Sequence, residues 1–503
     1  MWMAYHNYRT LATLEGLVKL TLKIRRCVNP DCERYRKPYR PEEEGRLALP
    51  ESEFGLDIIA LVGALRYHQQ RSVPEVHAAL RERGIAIAER TVTHLVHRYE
   101  ELVALRLTDS SRLRERLEGQ GRVILALDGL QPHVGHEVLW VLRDCLSGEV
   151  VLARSLLSAT EDDLARLLGE VKAALPVPIV GVISDGQRSI RNAVATALPD
   201  VPHQLCHFHY LREAATPIYE ADRHAKKELK KRVRGVRPIE RKLEARDDDE
   251  AEAVRGYCLA VRSALTDDGR APLDAAGLCL KQRLEDIHAS IERVGSKKGL
   301  PAELQRLDTL LTRGLEETAA LWPDVKTAYA FVYRAAHILA NHEQQSAGEV
   351  RQTYDALLTE MTAHKAEVGS LTPAMTHFLK VTDSYKPGLF HCYAVPDLPR
   401  TNNDLEHYFG TARYLERRIT GRKVAGPSLV IRGAVRLMAA VATHTHPFQA
   451  DELGPIDREM WRTLRRQLEV RHTARRAQRR FRRDPHTYLA SLEERLLKSV
   501  LPA

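Results

Sequence analysis

The spacing of hydrophobic residues changes along the chain and separates helical from extended parts. Apolar residues recur at helical spacing from 52 to 104, whereas 122 to 208 contains short apolar runs typical of strands among helical segments. From 211 to 390, and again from 455 to 500, the pattern is helical and rich in charge. The pattern therefore predicts one α/β segment between helical regions.

The middle segment predicts the order β-β-β-α-β-α-β. Its expected elements are strands at 122–129, 136–144 and 148–157, a helix at 159–175, a strand at 177–186, a helix at 187–198 and a strand at 201–208. Three antiparallel strands followed by strands joined through helices is the order of a ribonuclease H-like fold. In that arrangement the first and fourth strands are neighbours. Asp128 and Asp185, at the carboxyl ends of those strands, are then expected to converge.

We therefore expect an α/β, ribonuclease H-like core with all-α N-terminal, inserted and C-terminal regions. The predicted segments are an N-terminal segment at 1–48, a helix-turn-helix domain at 49–118, the first part of the core at 119–210, an inserted helical domain at 211–390, the end of the core at 391–450 and basic helices at 451–503.

The helix-turn-helix prediction depends on two helices and the short turn between them. Ser72 stands where a helix cap is expected and Gly84 where the helix ends. The residues of the second helix that we expect to contact DNA are Arg90, Thr91, Thr93, His94 and His97. A helix bundle with no DNA role is the alternative. The formal net charge of +9 favours a polyanionic partner.

Seven scattered cysteines, an odd number, favour reduced thiols over a disulfide framework. No apolar run approaches the length of a membrane span, and the first residues show no secretory signal pattern, so we expect a cytoplasmic protein. Cys27 and Cys32 have the C-x4-C spacing of half a structural Zn²⁺ site. Two ordinary thiols in a loop are the alternative.

A third acid completes a candidate metal site. Glu406 lies in a predicted helix that Thr401 or Asn402 caps, and three carboxylates can hold Mg²⁺, for which Mn²⁺ substitutes. Two such ions can clamp an in-line displacement at phosphorus. Asp404 competes with Glu406, because residues two apart on a helix point about 200° apart and only one can serve. Taken singly, each aspartate could instead be a turn or helix-cap residue.

Four motifs together resemble a DDE transposase of bacterial insertion sequences. They are "ALDGLQ", "VISDGQ", "CHFH" and "TNNDLEHYFG". The resemblance covers 122–425 and is nearest to the branch related to Mutator-like elements, with a C-x-x-H motif and a helical insertion. It implies cleavage at element ends followed by strand transfer, with Asp128, Asp185 and Glu406 as catalytic metal ligands. It also implies a structural, bracing role for Cys206 and His209.

The stretch "HQLCHFHYL" at 203–211 leaves two further hypotheses open. Cys206 could be a nucleophile activated by a histidine. Alternatively, it could bind zinc with His203 or His207 and a distant ligand. The bracing role given by the resemblance is the preferred interpretation.

Basic residues cluster around the final acid and in the C-terminal tail. Those around the acid are Arg400, Arg413, Arg417, Arg418, Arg422 and Lys423. The stretch 462–484 holds ten arginines and two acids. Beside a phosphate-transfer site these residues predict contacts to the DNA backbone, and a solvated helix face is the alternative. For the tail, a dimerisation arm is a third interpretation.

The sequence therefore predicts a transposase that acts on double-stranded DNA, as a homodimer or larger assembly because two element ends must meet. Three alternative functions remain open. They are a ribonuclease H-like nuclease that cuts without joining, an inactive relative that regulates by binding DNA, and a zinc-organised scaffold.

Overall fold

A computed structural model describes residues 2–132, 135–157, 159–269, 273–422, 426–454 and 457–500. Up to residue 205 its elements are β1 (Trp2–Thr13), β2 (Gly16–Arg26), β3 (Pro38–Tyr39), α1 (Glu44–Leu47), α2 (Leu56–Gly63), α3 (Val73–Glu82), α4 (Glu89–Leu107), α5 (Ser110–Gln120), β4 (Val123–Leu130), β5 (Val138–Asp144), β6 (Val150–Leu156), α6 (Glu161–Ala174), β7 (Ile179–Ser184), α7 (Arg188–Ala197) and β8 (His203–Leu205). The helices that follow are α8 (His207–Arg232), α9 (Val236–Lys242), α10 (Asp249–Thr266), α11 (Ala276–Lys298), α12 (Ala302–Thr318), α13 (Trp322–Ala340), α14 (Ala347–His364), α15 (Thr372–Tyr385), α16 (Asn403–Thr420), α17 (Gly426–Thr445), α18 (Ala450–Leu453), α19 (Arg458–Arg483) and α20 (Pro485–Val500).

The N-terminal region is not all helical, and the prediction of an all-α N-terminus is wrong for its first residues. β1 and β2 form an antiparallel hairpin in which Thr13 pairs with Gly16, and β3 extends this sheet along β2. Apolar and charged residues alternate along β2, so Leu22 and Ile24 are buried and Lys23 between them is exposed. That two-residue period suits a strand with one covered face.

The second sheet has five strands in the order β6-β5-β4-β7-β8. β4, β5 and β6 form the predicted antiparallel meander. The Val123 N–H donates to the Pro178 carbonyl (3.0 Å), so β4 and β7 begin side by side. The adjacency of the first and fourth strands of this segment is therefore confirmed. The last strand is shorter than predicted, because the chain turns into α8 at Cys206.

Several predicted helix boundaries are confirmed by their caps. Ser72 and Glu75 form a reciprocal capping box at the start of α3, and Thr160 accepts the Asp163 N–H at the start of α6 (3.2 Å). Gly84, with φ of +77°, ends the α3 segment in the left-handed conformation that favours glycine.

The chain divides into two compact units, each built from separate stretches. The first unit comprises Met1–Val182, Asn192–Val201 and Asn402–Ala503. Within it, helices α2 to α4 from the N-terminal half share a hydrophobic core with α16, α17 and α19 from the C-terminal half. Tyr99 and Leu415 are among its fully buried side chains. This unit therefore depends on apolar contacts between segments far apart in sequence.

The second unit comprises Ile183–Arg191 and Pro202–Thr401 and is almost entirely helical. The long helix α8 packs against α11, α12, α13 and α15. Its Tyr210 hydroxyl lies 2.5 Å from that of Tyr354 and 2.6 Å from the hydroxyl of Thr382. The Asp222 carboxylate accepts the N–H groups of Gly277 and Leu278 at the start of α11. These bonds fix α8 as the central helix of the unit.

None of the helices in the described part of the chain is long and apolar enough to cross a membrane.

Candidate active site and basic cleft

Asp128 lies near the carboxyl end of β4, a strand whose first five residues are buried. Its side chain is half-buried, and one carboxylate oxygen accepts the Gly129 N–H at 2.7 Å. Asp128 and Gly129 both lie within β4, opposite Val141 and Trp140 of β5, so the turn that the sequence offered as the ordinary alternative is not formed here.

Glu406 belongs to the same unit as Asp128 and is positioned by the start of α16. Asn402 is buried at the N-terminal end of this helix, and its amide donates to the Leu127 carbonyl on β4 at 3.4 Å. α16 packs on β4 along this contact. Glu406, half-buried, follows in the first turn. The first turn of α16 is thus held against the strand that carries Asp128.

Asp404, the rival third ligand, is engaged elsewhere. Its carboxylate forms an ion pair with Arg143 of β5. The Arg143 guanidinium also lies 5.5 Å from the centroid of the Tyr408 ring. Burial lowers the pKa of Arg143. Arg143 could not be identified from local sequence, because its partner Asp404 lies far along the chain. The pairing favours Glu406 over Asp404 as the third acid.

Asp185 belongs to the second unit and follows β7 directly. One oxygen of its half-buried carboxylate accepts the Gln187 N–H at 2.9 Å, just before α7 begins. This bond is the helix-start interaction weighed from the sequence as an alternative.

The loop that carries Asp185 is held by residues that sequence reasoning missed. The Tyr385 hydroxyl donates its proton to the Glu213 carboxylate (2.7 Å), and its oxygen also lies 3.3 Å from the Asp185 carbonyl oxygen. The Arg191 side chain donates to the Gly186 carbonyl (2.5 Å) and stacks over the Tyr385 ring at 4.2 Å. The backbone around Asp185 is therefore fixed by an aromatic ring and a guanidinium group.

The stretch around Cys206 braces the same loop through its backbone. Cys206 is completely buried at the start of α8, and its N–H donates to the Ser184 carbonyl at 2.8 Å. Full burial leaves a substrate no access to the thiol, so nothing here favours a nucleophilic cysteine. His209 lies in the first turn of α8, with its ring edge-on to Phe208.

The other two histidines of this stretch already have partners. The Nε2 atom of His203 pairs with the Ser184 hydroxyl (2.8 Å), and that of His207 with the Leu389 carbonyl (2.7 Å). Burial lowers the pKa of each imidazole to about 4. Both rings therefore serve as neutral, buried hydrogen-bonding groups, which gives the zinc hypothesis for Cys206 no support.

Cys27 and Cys32 face each other across a turn. The Arg34 backbone and then the Cys27 thiol hydrogen-bond to the Cys32 thiol and lower its pKa. Two thiols supply half the ligands of a tetrahedral zinc site. Among the residues that the structure describes, no group of three or more His, Cys, Asp or Glu side chains is placed to hold a metal ion.

The predicted DNA-reading helix, α4, lies inside the helical bundle of the first unit and packs against α2, α3, α17, α18 and α19. One face of it lines a cleft of about 1110 Å³, which we call the basic cleft. Of the predicted DNA contacts on α4, those that line the cleft are Arg90, Thr93, His94 and His97. Thr91 is half-buried and is not part of the lining.

The predicted basic residues around the final acid are not all in one place. Arg413, Arg417, Arg418 and Arg422 are exposed at α16 and just beyond it, and Arg422 lines the basic cleft. Arg400 belongs to the second unit and donates to the Ala340 carbonyl. Lys423 lies outside the described residues.

No model of a known protein family matches the sequence, and no curated protein matches it.

Proposed function

We propose that the chain is a DNA transposase of the DDE type with a ribonuclease H-like core. It would cleave DNA strands at the ends of a mobile element and join the freed 3′-hydroxyl to target DNA. The observation that carries the proposal is the strand order, because it makes neighbours of β4, which contains Asp128, and β7, which ends just before Asp185. The packing of α16 on β4 adds Glu406 to the same argument.

The three acids supply the oxygen ligands that Mg²⁺ prefers, and Mn²⁺ is expected to substitute. We assign Asp128, Asp185 and Glu406 to hold the metal, although the described residues do not show these three side chains grouped around a metal position. When bound, Mg²⁺ would polarise the attacking and leaving oxygens at phosphorus. Any zinc would belong to Cys27 and Cys32.

Other residues would position these acids without touching the reacting atoms. The Tyr385 and Arg191 contacts to the loop backbone fix the direction in which Asp185 leaves β7. The ion pair with Arg143 engages Asp404, and we assign Glu406, in the same turn of α16, as the third metal ligand. Cys206, through its bond to Ser184, anchors the end of β7 to the start of α8.

The expected partner is double-stranded DNA, both as element ends and as target. Holding two ends together requires a homodimer or larger assembly, and the place of action would be the bacterial nucleoid in the cytoplasm. Two alternatives keep the DNA partner. A nuclease would use the same acids without joining, and an inactive relative would only bind and regulate.

The proposal is tested with labelled DNA spanning the boundaries that flank the gene for this chain, incubated with protein and Mg²⁺. Glu406→Gln should bind this DNA and neither cleave nor join it. Asp404→Asn, two positions away in the same helical turn, is the matched control and should retain both activities, because its exposed carboxylate forms an ion pair with Arg143 and is not assigned to the metal.

Cleavage by Glu406→Gln at the wild-type rate would remove it as a metal ligand. Loss of activity in Asp404→Asn, with activity retained in Glu406→Gln, would make Asp404 the third metal ligand in place of Glu406. Cleavage without joined product in the wild type would select the nuclease alternative, and binding without cleavage would select the regulator.

A further inference from the structure

The basic cleft is built within the first unit from three helices and one loop residue. α4 forms one wall, α17 the floor, and the arginine-rich α19 the opposite wall. Arg422, just after α16, closes one side. The cleft therefore joins the face of the predicted DNA-reading helix to the basic tail, two features that the sequence presents as separate.

The floor of the cleft is a buried network in which positive and negative charges are matched. Arg432 donates to Glu100 (2.6 Å), to Glu101 (3.2 Å) and to the His97 carbonyl (2.7 Å). Arg436 pairs with Glu100 (2.8 Å) and with Glu416. Although burial raises the pKa of Glu100, Arg432 and Arg436 outweigh it and lower the pKa to about 2. The floor is thus rigid, and its acids are already neutralised.

The walls of the cleft carry arginines that are not paired with carboxylates. Within the described part of the chain, six arginines that line the cleft make no ion pair with a carboxylate: Arg90, Arg422, Arg462, Arg465, Arg466 and Arg479. All six are exposed. The two acids in the lining are both engaged, Glu101 by Arg98 and Arg432, and Glu469 by Arg476 (2.6 Å). The cleft therefore presents about six uncompensated charges to a ligand, a number typical of protein surfaces that bind several phosphates.

The size and lining of the cleft restrict its occupant. A volume of about 1110 Å³ is close to the upper end of small-ligand pockets. It suits a strand of a few nucleotides, whereas a helix that reads the bases of a duplex has to enter the major groove. The described residues that line the cleft include no Trp, Tyr or Phe, and the aromatic rings among them are those of His94, His97 and His472. Recognition would therefore be of phosphates, not of base sequence.

We propose that the basic cleft binds the sugar-phosphate backbone of single-stranded DNA, independently of sequence. The choice of DNA rests on the proposed function, in which strand cleavage frees single-stranded ends. In this proposal α4 and α19 bind the same DNA strand from opposite walls of the cleft, which neither helix could do alone. It also predicts that α4 contacts phosphates from inside a concave surface.

The test measures binding by fluorescence anisotropy, with EDTA present so that cleavage plays no part. The probe is a labelled oligothymidylate of about 12 nucleotides, within the site sizes known for single-strand binding. With six phosphate contacts, the logarithm of the association constant should fall with the logarithm of salt concentration with a slope of about −4. Arg462→Gln/Arg466→Gln should bind about tenfold more weakly and reduce the slope to about −3.

The matched control is Arg480→Gln/Arg483→Gln, which removes the same charge from exposed positions of the same helix that do not line the cleft. It should leave affinity and slope near those of the wild type. Circular dichroism and thermal unfolding of both variants should match the wild type, because none of these arginines belongs to the buried network.

Equal losses in the two double variants would overturn the proposal, since the effect would then follow net charge alone. A duplex of the same length that displaces the oligothymidylate at equal concentration would also overturn it, in favour of groove binding. Because no metal is present, failure of this test is distinct from failure of cleavage by Asp128, Asp185 and Glu406.

Discussion

Replacing Gly186 with alanine should unsettle the loop that carries Asp185 while removing none of its hydrogen bonds. Gly186 has φ of +87°, in the left-handed region that favours glycine. A Cβ added there would lie 2.6 Å from Cε1 of Tyr385. That ring cannot move easily, because it is 5% exposed, hydrogen-bonded to Glu213 and covered by Arg191.

The expected cost has two parts. Alanine in the left-handed conformation costs about 1 to 2 kcal/mol, and overpacking against a fixed ring costs about 1 to 3 kcal/mol. Gly186→Ala should therefore lower the free energy of unfolding of the second unit by about 2 to 5 kcal/mol. Gly121→Ala isolates the first part, since Gly121 has φ of +80° and nothing lies within 4 Å of its added Cβ.

Urea unfolding followed by circular dichroism measures both costs, and hydrogen exchange of the segment around 184–191 localises the first. Gly186→Ala should speed exchange in that segment and reduce DNA cleavage more than it reduces DNA binding. Equal destabilisation by Gly186→Ala and Gly121→Ala would refute the reasoning, because it would mean that the Tyr385 ring yields without cost.

Three further predictions follow from buried and paired groups. Glu100→Gln should destabilise the first unit by about 3 to 5 kcal/mol in urea unfolding, because it leaves two buried arginines short of a carboxylate; a change under about 1 kcal/mol would contradict this. The pKa values of His203 and His207 are lowered from 6.5 to about 4, so the unfolded chain binds more protons between these values and stability should rise with pH across that window. Each histidine should add about 2 kcal/mol to the free energy of unfolding as the pH rises from about 5 to about 7. An unfolding free energy that does not change over this range would show that the rings are not buried as neutral groups. If Cys27 and Cys32 bind zinc, elemental analysis should find zinc in the purified wild type and none in Cys27→Ser/Cys32→Ser. A wild type without zinc would show that the two residues are ordinary thiols.

Local signals in the sequence predicted much of the core. The short apolar strands and the caps at Ser72 and Thr160 are set by neighbours within a few residues, and each is confirmed. α16 begins where it was predicted, but the Asn402 side chain makes no cap hydrogen bond, and its amide donates to the distant Leu127 carbonyl instead. The order of strands and helices along the chain matches that of a ribonuclease H-like fold, and the adjacency of the first and fourth strands was expected from that likeness. The β1–β2 hairpin was missed although its two-residue period is visible along β2.

The contacts that define the candidate site could not be predicted, because they join distant parts of the chain. Tyr385 and Asp185 are 200 residues apart. Arg143 meets Asp404 across a comparable distance in sequence. Helical periodicity gives the polar face of α4 but does not say what faces it. In the structure the arginines of α19 face this surface across the basic cleft. The DNA contacts predicted for α4 would therefore be made inside the cleft.

The central claim is that these acids cleave and join DNA, and one comparison tests it most directly. Wild-type protein and Asp185→Asn are incubated with Mg²⁺ and labelled DNA that spans the boundaries flanking the gene for this chain, and products are resolved on denaturing gels. We expect nicked ends and joined products from the wild type, and binding with neither product from Asp185→Asn. Joined products from both proteins, or wild-type binding without cleavage even in Mn²⁺, would contradict the claim.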